Sequence, residues 1–282
     1  MKYGDDYRKI PMYSKESGKG TEFLPDVYVF VDQIVNVLFI GRPEANSFVI
    51  VDTGLYKRSE KIIEAAIERF GAHAKPSAIL LTHGHVDHVG TVIDLVEKWN
   101  VPVYAAEAEL PYLTGQKSYP EPDYTAEGGL VLKTSKFFPT DPIDLENHVQ
   151  PLPEDGSVPF LPEFKWIPVP GHTEGQTAFF RERDRFLIAA DAFVMTKQED
   201  LYSVLTQKKI ISGPPRYLTP DWVSAKESVV KLYNLRPQYA VSGHGYPMSG
   251  HELLEGLKDL IDHWEEKALP SHGKFVDDSD HQ

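Results

Sequence analysis

From Val27 onward, short β-branched and aromatic runs alternate with turn residues: Val27–Val31, Ile34–Ile40 and Phe48–Val51. The stretch Gly41-Arg42-Pro43-Glu44-Ala45-Asn46 separates the last two, which predicts an antiparallel meander ending at Val51-Asp52-Thr53-Gly54. The period then lengthens. Ile62, Ile63, Ala66, Ile67 and Phe70 recur at helical spacing, with Gly71 placed to end the helix. Ala78–Leu81 reads as a buried strand, and Val89, Val92, Ile93, Val96 and Trp99 as the stripe of a second helix. Val101–Ala105 reads as another strand. Strand and helix in alternation argue for an α/β layer.

Between Glu107 and Pro170 the texture breaks: half of the 22 prolines fall there, interleaved with Tyr112, Tyr119, Tyr124, Phe137, Phe138, Phe160 and Phe164. Proline fixes φ and removes a donor, so long helices and central strands are disfavoured. The segment reads either as a surface excursion packed by its own side chains or as a cap over a pocket. Strands resume at Lys165–Val169, Thr177–Phe180 and Arg185–Ala189. A helix with Thr219 as N-cap and Pro220 in its first turn follows, then a strand at Tyr239–Ser242. A last helix opens on the capping-box pattern Ser249-x-x-Glu252. The organisation expected is an arm over residues 1–25, one domain over 26–270 made of two similar β/α halves with the insertion at about 107–165, and a polar tail over 271–282.

Composition narrows the function. The chain has 282 residues, ordinary hydrophobic content, and 42 acidic against 29 basic residues for a net charge of −13, which argues against a nucleic-acid partner. It has no cysteine, so disulfides, thiolate metal sites and cysteine nucleophiles are out. The start, MKYGDDYRKI, lacks an apolar core for a signal peptide and no apolar run reaches 18 residues, so a cytoplasmic protein without a membrane partner is expected. Oligomeric state is left open, a homodimer included.

The candidate chemistry is concentrated in Thr82-His83-Gly84-His85-Val86-Asp87-His88, after one predicted strand and before a helix. In extended chain i and i+2 face the same way, so His83 and His85 can converge on one cation, while Asp87 and His88 turn into the helix and can reach a second. Three further candidates end or follow strands: His172 in Pro170-Gly171-His172-Thr173, Asp191 after Leu187-Ile188-Ala189-Ala190, and His244 between Gly243 and Gly245. Strand ends are where ligands collect in such sheets. Imidazole and carboxylate suit zinc, iron or manganese. Either of the later histidines alone would read as a capping or core residue. His73, His148, His251, His263, His272 and His281 have no such context.

Asp52, the Thr82–His88 cluster, His172, Asp191 and His244, in that order from about Val27 to Tyr246, resemble the metallo-β-lactamase superfamily. The resemblance implies an α+β fold, an αββα sandwich of two mixed β-sheets with helices on the outer faces. It implies two divalent metal ions, zinc first: His83, His85 and His172 on one, Asp87, His88 and His244 on the other, and Asp191 shared. Asp52 would orient the ligands, or would simply end a strand.

The implied reaction is hydrolysis of a small carbonyl compound (lactone, ester or thioester) by a hydroxide held between the metals, with Asp87 or Asp191 carrying the proton. The alternatives on the same fold are a mononuclear iron oxygenase of the persulfide dioxygenase type and a phosphodiesterase. Lactonases of the superfamily resemble the chain in all seven ligands, but many carry a tyrosine three residues after the shared aspartate, where this chain has Val194. Tyr246, Tyr202 or a tyrosine of the insertion would then serve, or the substrate is not a lactone.

Overall fold

The computed structural model describes residues 1–9, 13–45, 47–127, 135 and 138–276. Asn46 of the predicted turn, Phe137 and part of the insertion, His281 and the end of the tail lie outside the described residues. The chain folds as two compact units, residues 1–119 with 139–162, and residues 120–138 with 163–282. The proline-rich insertion is parted between them. Among the described residues no helix is long and apolar enough to cross a membrane.

The first unit is built on seven strands, β1 (Gly20–Leu24), β2 (Val27–Asp32), β3 (Val35–Ile40), β4 (Ser47–Val51), β5 (Lys75–Leu80), β6 (Val103–Ala105) and β7 (Val149–Pro151), hydrogen-bonded in that order. The first four form the predicted meander, antiparallel throughout. From β4 to β7 the pairing is parallel, so the carboxyl ends of β4, β5 and β6 fall on one edge. β3 is buried along its whole length, VNVLFI, as a strand covered on both faces must be. β7 lies inside the proline-rich segment, and its Pro151 is tolerated because β7 is the edge strand.

Helix α1 (Ser59–Phe70) buries Ile62, Ala65, Ala66 and Phe70 and stops at Gly71, whose φ of 88° suits glycine. Phe70 stacks on Phe48 with ring centroids 4.1 Å apart. The second predicted helix is two: α2 (Val86–Val89) and α3 (Val92–Trp99), interrupted at Gly90-Thr91. The interruption is tertiary in origin. Gly90 N donates to Gly54 O at 2.8 Å and Thr91 Oγ1 donates to Thr53 O at 2.5 Å, tying the junction to the loop after β4. A short helix, α4 (Leu110–Leu113), follows β6. Within residues 1–25, Tyr3 donates to Asp94 Oδ2 at 2.6 Å, and Tyr3 and Tyr7 pack with Tyr56 ring against ring.

The second unit carries β8 (Phe164–Pro168), β9 (Thr177–Arg181), β10 (Phe186–Ile188), β11 (Tyr239–Val241) and β12 (Met248–Ser249) in the order β12-β11-β10-β9-β8. Only β10 and β11 are parallel. Its helices are α5 (Leu201–Thr206), α6 (Trp222–Asn234), α7 (Gly250–Asp262) and α8 (Trp264–Lys267). Trp222, Ala225, Val229 and Leu232 of α6 and Leu253, Leu257 and Leu260 of α7 are buried in its core.

Two helix starts differ from expectation. α6 is capped by Asp221, whose side chain accepts from Ser224 N at 2.9 Å, because Thr219 is engaged elsewhere. The Ser249 capping box does not form: Ser249 pairs with Tyr239 as the end of β12, and no side-chain cap bond is made. The α+β class with two mixed sheets is as the sequence implied.

Candidate metal centre

In the first unit the edge at the carboxyl ends of β4 and β5 collects Asp52 and the Thr82–His88 loop. His83 and His88 are fully buried and His85 nearly so. The rings of His83 and His85 stand 4.8 Å apart and those of His83 and His88 4.1 Å apart. Asp87 joins them, its Oδ2 3.9 Å from His88 Nε2.

Asp52 is the hub behind this cluster. The backbone there takes a φ of 59°, which turns the chain sharply at the strand end. Oδ1 accepts from Thr82 N at 2.8 Å, while Oδ2 accepts from Thr82 Oγ1 and stands 2.8 Å from His88 Nδ1. A carboxylate there only accepts, so His88 carries its proton on Nδ1 and keeps the Nε2 lone pair for a metal. The same logic extends to His83. Because the Thr82 hydroxyl donates to Asp52, its oxygen is left to accept from His83 Nδ1 at 3.0 Å. One buried carboxylate thereby sets the tautomer of two rings. Asp52→Asn keeps the size but puts an N–H against one of these donors. The expected result is a folded protein whose metal affinity falls about 10–100-fold, measured by competition with a chromophoric chelator.

In the second unit His172 lies on the β8–β9 connection, Asp191 just after β10 and His244 just after β11. By the pairing of Ile188 with Phe179 and Val241 these three points share one edge. All three residues are buried. Asp191 Oδ2 stands 3.6 Å from His172 Nε2 and 3.3 Å from His244 Nε2. The edge between two ligands of a tetrahedral zinc, each 2.0–2.2 Å from the ion, is about 3.3–3.6 Å, so this donor set fits a cation. Thr219 holds His172 as Thr82 holds His83. Its hydroxyl donates to Pro215 O at 2.8 Å, leaving the oxygen to accept from His172 Nδ1 at 3.2 Å. Asp191 is held through its backbone, N donating to Gln176 Oε1 at 3.1 Å, and Met195 N and Ser242 Oγ donate to the carbonyl of His244.

Thr219 and Gln176 were not legible as part of the site. A threonine before a proline and a glutamine before a strand read as local structure, and their targets are far away in sequence. Of the other histidines, His73, His251, His263 and His272 are exposed and His148 is half-buried. Val194 is buried, its backbone paired with Ser212, and its alkyl side chain has no hydroxyl for the lactonase tyrosine's task. Tyr202 is 67% exposed on α5 and Tyr246 lies over Lys209.

A tyrosine of the insertion does reach the first cluster. Tyr119 has its ring 4.5 Å from that of His85, but its hydroxyl is engaged: it donates to the buried Glu109 carboxylate and accepts from Gly84 N at 2.9 Å. Burial and the Glu109 charge hold this phenol protonated well above its ordinary range.

Comparison with known proteins agrees with this chemistry. Residues 31–244 match the model of the metallo-beta-lactamase superfamily. The chain is 45% identical over 252 residues to the probable metallo-hydrolase YflN of Bacillus subtilis (strain 168), covering 89% of this chain and 96% of that protein. Among solved structures, a metallo-beta-lactamase family protein from Thermus thermophilus, TTHA1429, superposes with a TM-score of 0.58 at 20% identity, covering 86% of this chain and 80% of that one. The protein TTHA1623, solved in a di-iron-bound form, superposes with a TM-score of 0.52 at 26% identity, covering 78% of this chain and 91% of that one.

Proposed function

This chain belongs to the metallo-beta-lactamase superfamily and is a metal-dependent hydrolase, and we propose that within that family it binds two divalent cations and cleaves a small carbonyl substrate: a lactone, ester or thioester. His83, His85 and His172 would hold one cation, Asp87, His88 and His244 the other, and Asp191 both. Bound there, such a pair would supply Lewis acidity and an activated water.

The residues of the chain do the remaining work. Asp52, Thr82 and Thr219 keep Nε2 of His88, His83 and His172 ready for metal by holding their Nδ1 protons. Asp87 or Asp191 would take the proton that water gives up and return it to the leaving group. Burial of the imidazoles excludes bulk water and strengthens their interactions with charge.

The observation that carries the reading is Asp191, one oxygen within 3.6 Å of two buried imidazole nitrogens. Such a constellation is costly without a cation to share. Zinc and iron both suit an all-N/O set, and the di-iron form of TTHA1623 favours testing iron alongside zinc. The test is elemental analysis of the purified protein followed by a panel of lactones, thioesters, esters and phosphodiesters. Two ions per chain with carbonyl hydrolysis is the expected result. One iron per chain with oxygen consumption favours the oxygenase, and phosphodiester cleavage alone overturns the carbonyl substrate.

A further inference from the structure

The Thr219 hydroxyl that steadies His172 hangs on a short turn, and a buried arginine grips that turn from behind. Arg216–Leu218 form one 3-10 turn after Pro215. It is closed by Leu218 N donating to Pro215 O at 3.1 Å and by Thr219 Oγ1 donating to the same carbonyl at 2.8 Å. Thr219 is fully buried, so its oxygen goes where the turn goes.

Arg216 is only 6% exposed. Its backbone N donates to Oε1 of the buried Glu199 at 2.8 Å. Its Nε donates to Ala268 O at 2.9 Å and its Nη2 to Glu266 O at 3.5 Å, while Nη1 stands 3.5 Å from Glu127 Oε2. One residue thus ties the turn to the segment that leaves Asp191, to the end of α8 and to the insertion. The seat is tight, since a Cβ on Gly213 would lie 2.4 Å from Ala268 Cβ. The insertion adds a second hold one residue on. Asp123 N donates to Tyr217 O at 2.8 Å, and the Phe138 ring meets Tyr217 edge-on at 5.7 Å.

A buried guanidinium is a costly way to hold two carbonyls, and an apolar side chain of like size often serves stability as well. What the planar fork adds is direction, because it fixes the angle of the turn as well as its place. The turn presents the Thr219 oxygen 3.2 Å from His172 Nδ1, and His172 Nε2 in turn stands 3.6 Å from Asp191 Oδ2.

We propose that Arg216 is a positioning residue for His172, acting through Thr219: it locks the turn so that the Thr219 oxygen takes the His172 Nδ1 proton and Nε2 is aimed at the cation beside Asp191. This rests on His172 being a metal ligand, as in the reading above.

The first test needs no metal and so stands apart from that reading. In metal-free protein carrying ¹⁵N-histidine, His172 (assigned by comparison with His172→Gln) should show an Nδ1-bound proton protected from exchange. Arg216→Met keeps an unbranched side chain and removes the fork. It should broaden or abolish the His172 signal while those of His83 and His88 stay, and Arg216→Lys should restore part of it. A His172 signal that is unchanged in Arg216→Met, or lost together with those of His83 and His88, overturns the proposal. So does a proton on Nε2 of His172 in the parent protein. Where Arg216→Met does not fold, Arg216→Lys is read in the same way, and an unchanged signal there overturns it.

The second test is a cobalt titration, in which wild-type protein taking up one ion instead of two counts against the dinuclear reading alone. Arg216→Met and Thr219→Val should each weaken one binding step about 10–100-fold. The double variant should bind no more weakly than Thr219→Val, because both changes remove the same support. Losses that multiply in the double variant put the effect of Arg216 elsewhere and overturn the proposal.

Discussion

Alanine at Asp191 should abolish turnover and reduce bound metal from two ions to at most one per chain. The argument is local. Asp191 Oδ2 lies 3.6 Å from His172 Nε2 and 3.3 Å from His244 Nε2, and all three side chains are buried. Remove the carboxylate and two imidazoles remain close together with no anion between them, so a dication meets less negative charge and one ligand fewer. Loss of a supporting partner typically costs 10–100-fold in affinity or activity, and a ligand counted twice should cost more than that.

Folding should survive. The contact that holds this point of the chain is the backbone N–H to Gln176, which alanine retains. The separation of the two effects is measurable. Metal-free wild type and Asp191→Ala should melt within a few degrees of each other, while the rise in Tm on adding metal should shrink. A 100-fold loss of affinity removes about 2.7 kcal/mol of ligand-linked stability. Elemental analysis with thermal scans in chelator and in metal decides it, and a variant that keeps two ions and its turnover defeats the shared-carboxylate model.

The sequence carried the centre's ligand types and, of its supports, Asp52. His83, His85, Asp87 and His88 were conspicuous because four donors fall in one short stretch after a strand, and the structure puts that stretch on the edge where β4 and β5 end. Asp52 was readable as a ligand-orienting group through its motif, though the double use of Oδ2 by Thr82 and His88 was not. Thr219, Gln176 and Tyr119 were silent, since each acts on a residue distant in sequence or through a backbone amide, and no local pattern encodes such a partner.

The misread helix starts have the same origin. Ser249 has the residue types of a capping box, but strand pairing with Tyr239 takes it first. Thr219 has the type of an N-cap, but its oxygen already serves Pro215 and His172. Local propensity prevailed where no tertiary partner competed for the segment, as in the β2–β4 meander and the stripe of α1, and failed where such partners were stronger.

Gly90→Ala is the substitution expected to damage the first unit most, and it exposes why the second helix is broken. A Cβ at Gly90 would lie 2.3 Å from Tyr56 N, 2.4 Å from Leu55 C and 2.5 Å from Gly54 O, all backbone atoms that no rotamer change can move. Gly90 has an ordinary helical φ of −61°, so the requirement is for space and not for an unusual dihedral. The space is needed because Gly90 N donates to Gly54 O at 2.8 Å, Thr91 Oγ1 to Thr53 O at 2.5 Å and Thr53 N to His88 O at 2.6 Å. These bonds lash the Asp52 loop to the α2–α3 junction.

A methyl group must push the two backbones apart, breaking or stretching the lashing. Overpacking alone costs about 1–3 kcal/mol, and each lost buried hydrogen bond adds about 1 kcal/mol or more. A total of roughly 3–5 kcal/mol corresponds to a Tm lower by about 6–20 °C at 2–4 °C per kcal/mol. The displacement also carries into chemistry, since Asp52 and His88 are on opposite sides of the lashing and meet at 2.8 Å. Gly90→Ala should therefore weaken metal binding as well as stability, whereas Gly71→Ala, where a Cβ would meet nothing within 4 Å, should cost only the strain of its φ of 88° and leave metal affinity unchanged. Equal melting temperatures for Gly90→Ala and the parent protein would show that the loop and the helix junction are not packed as described.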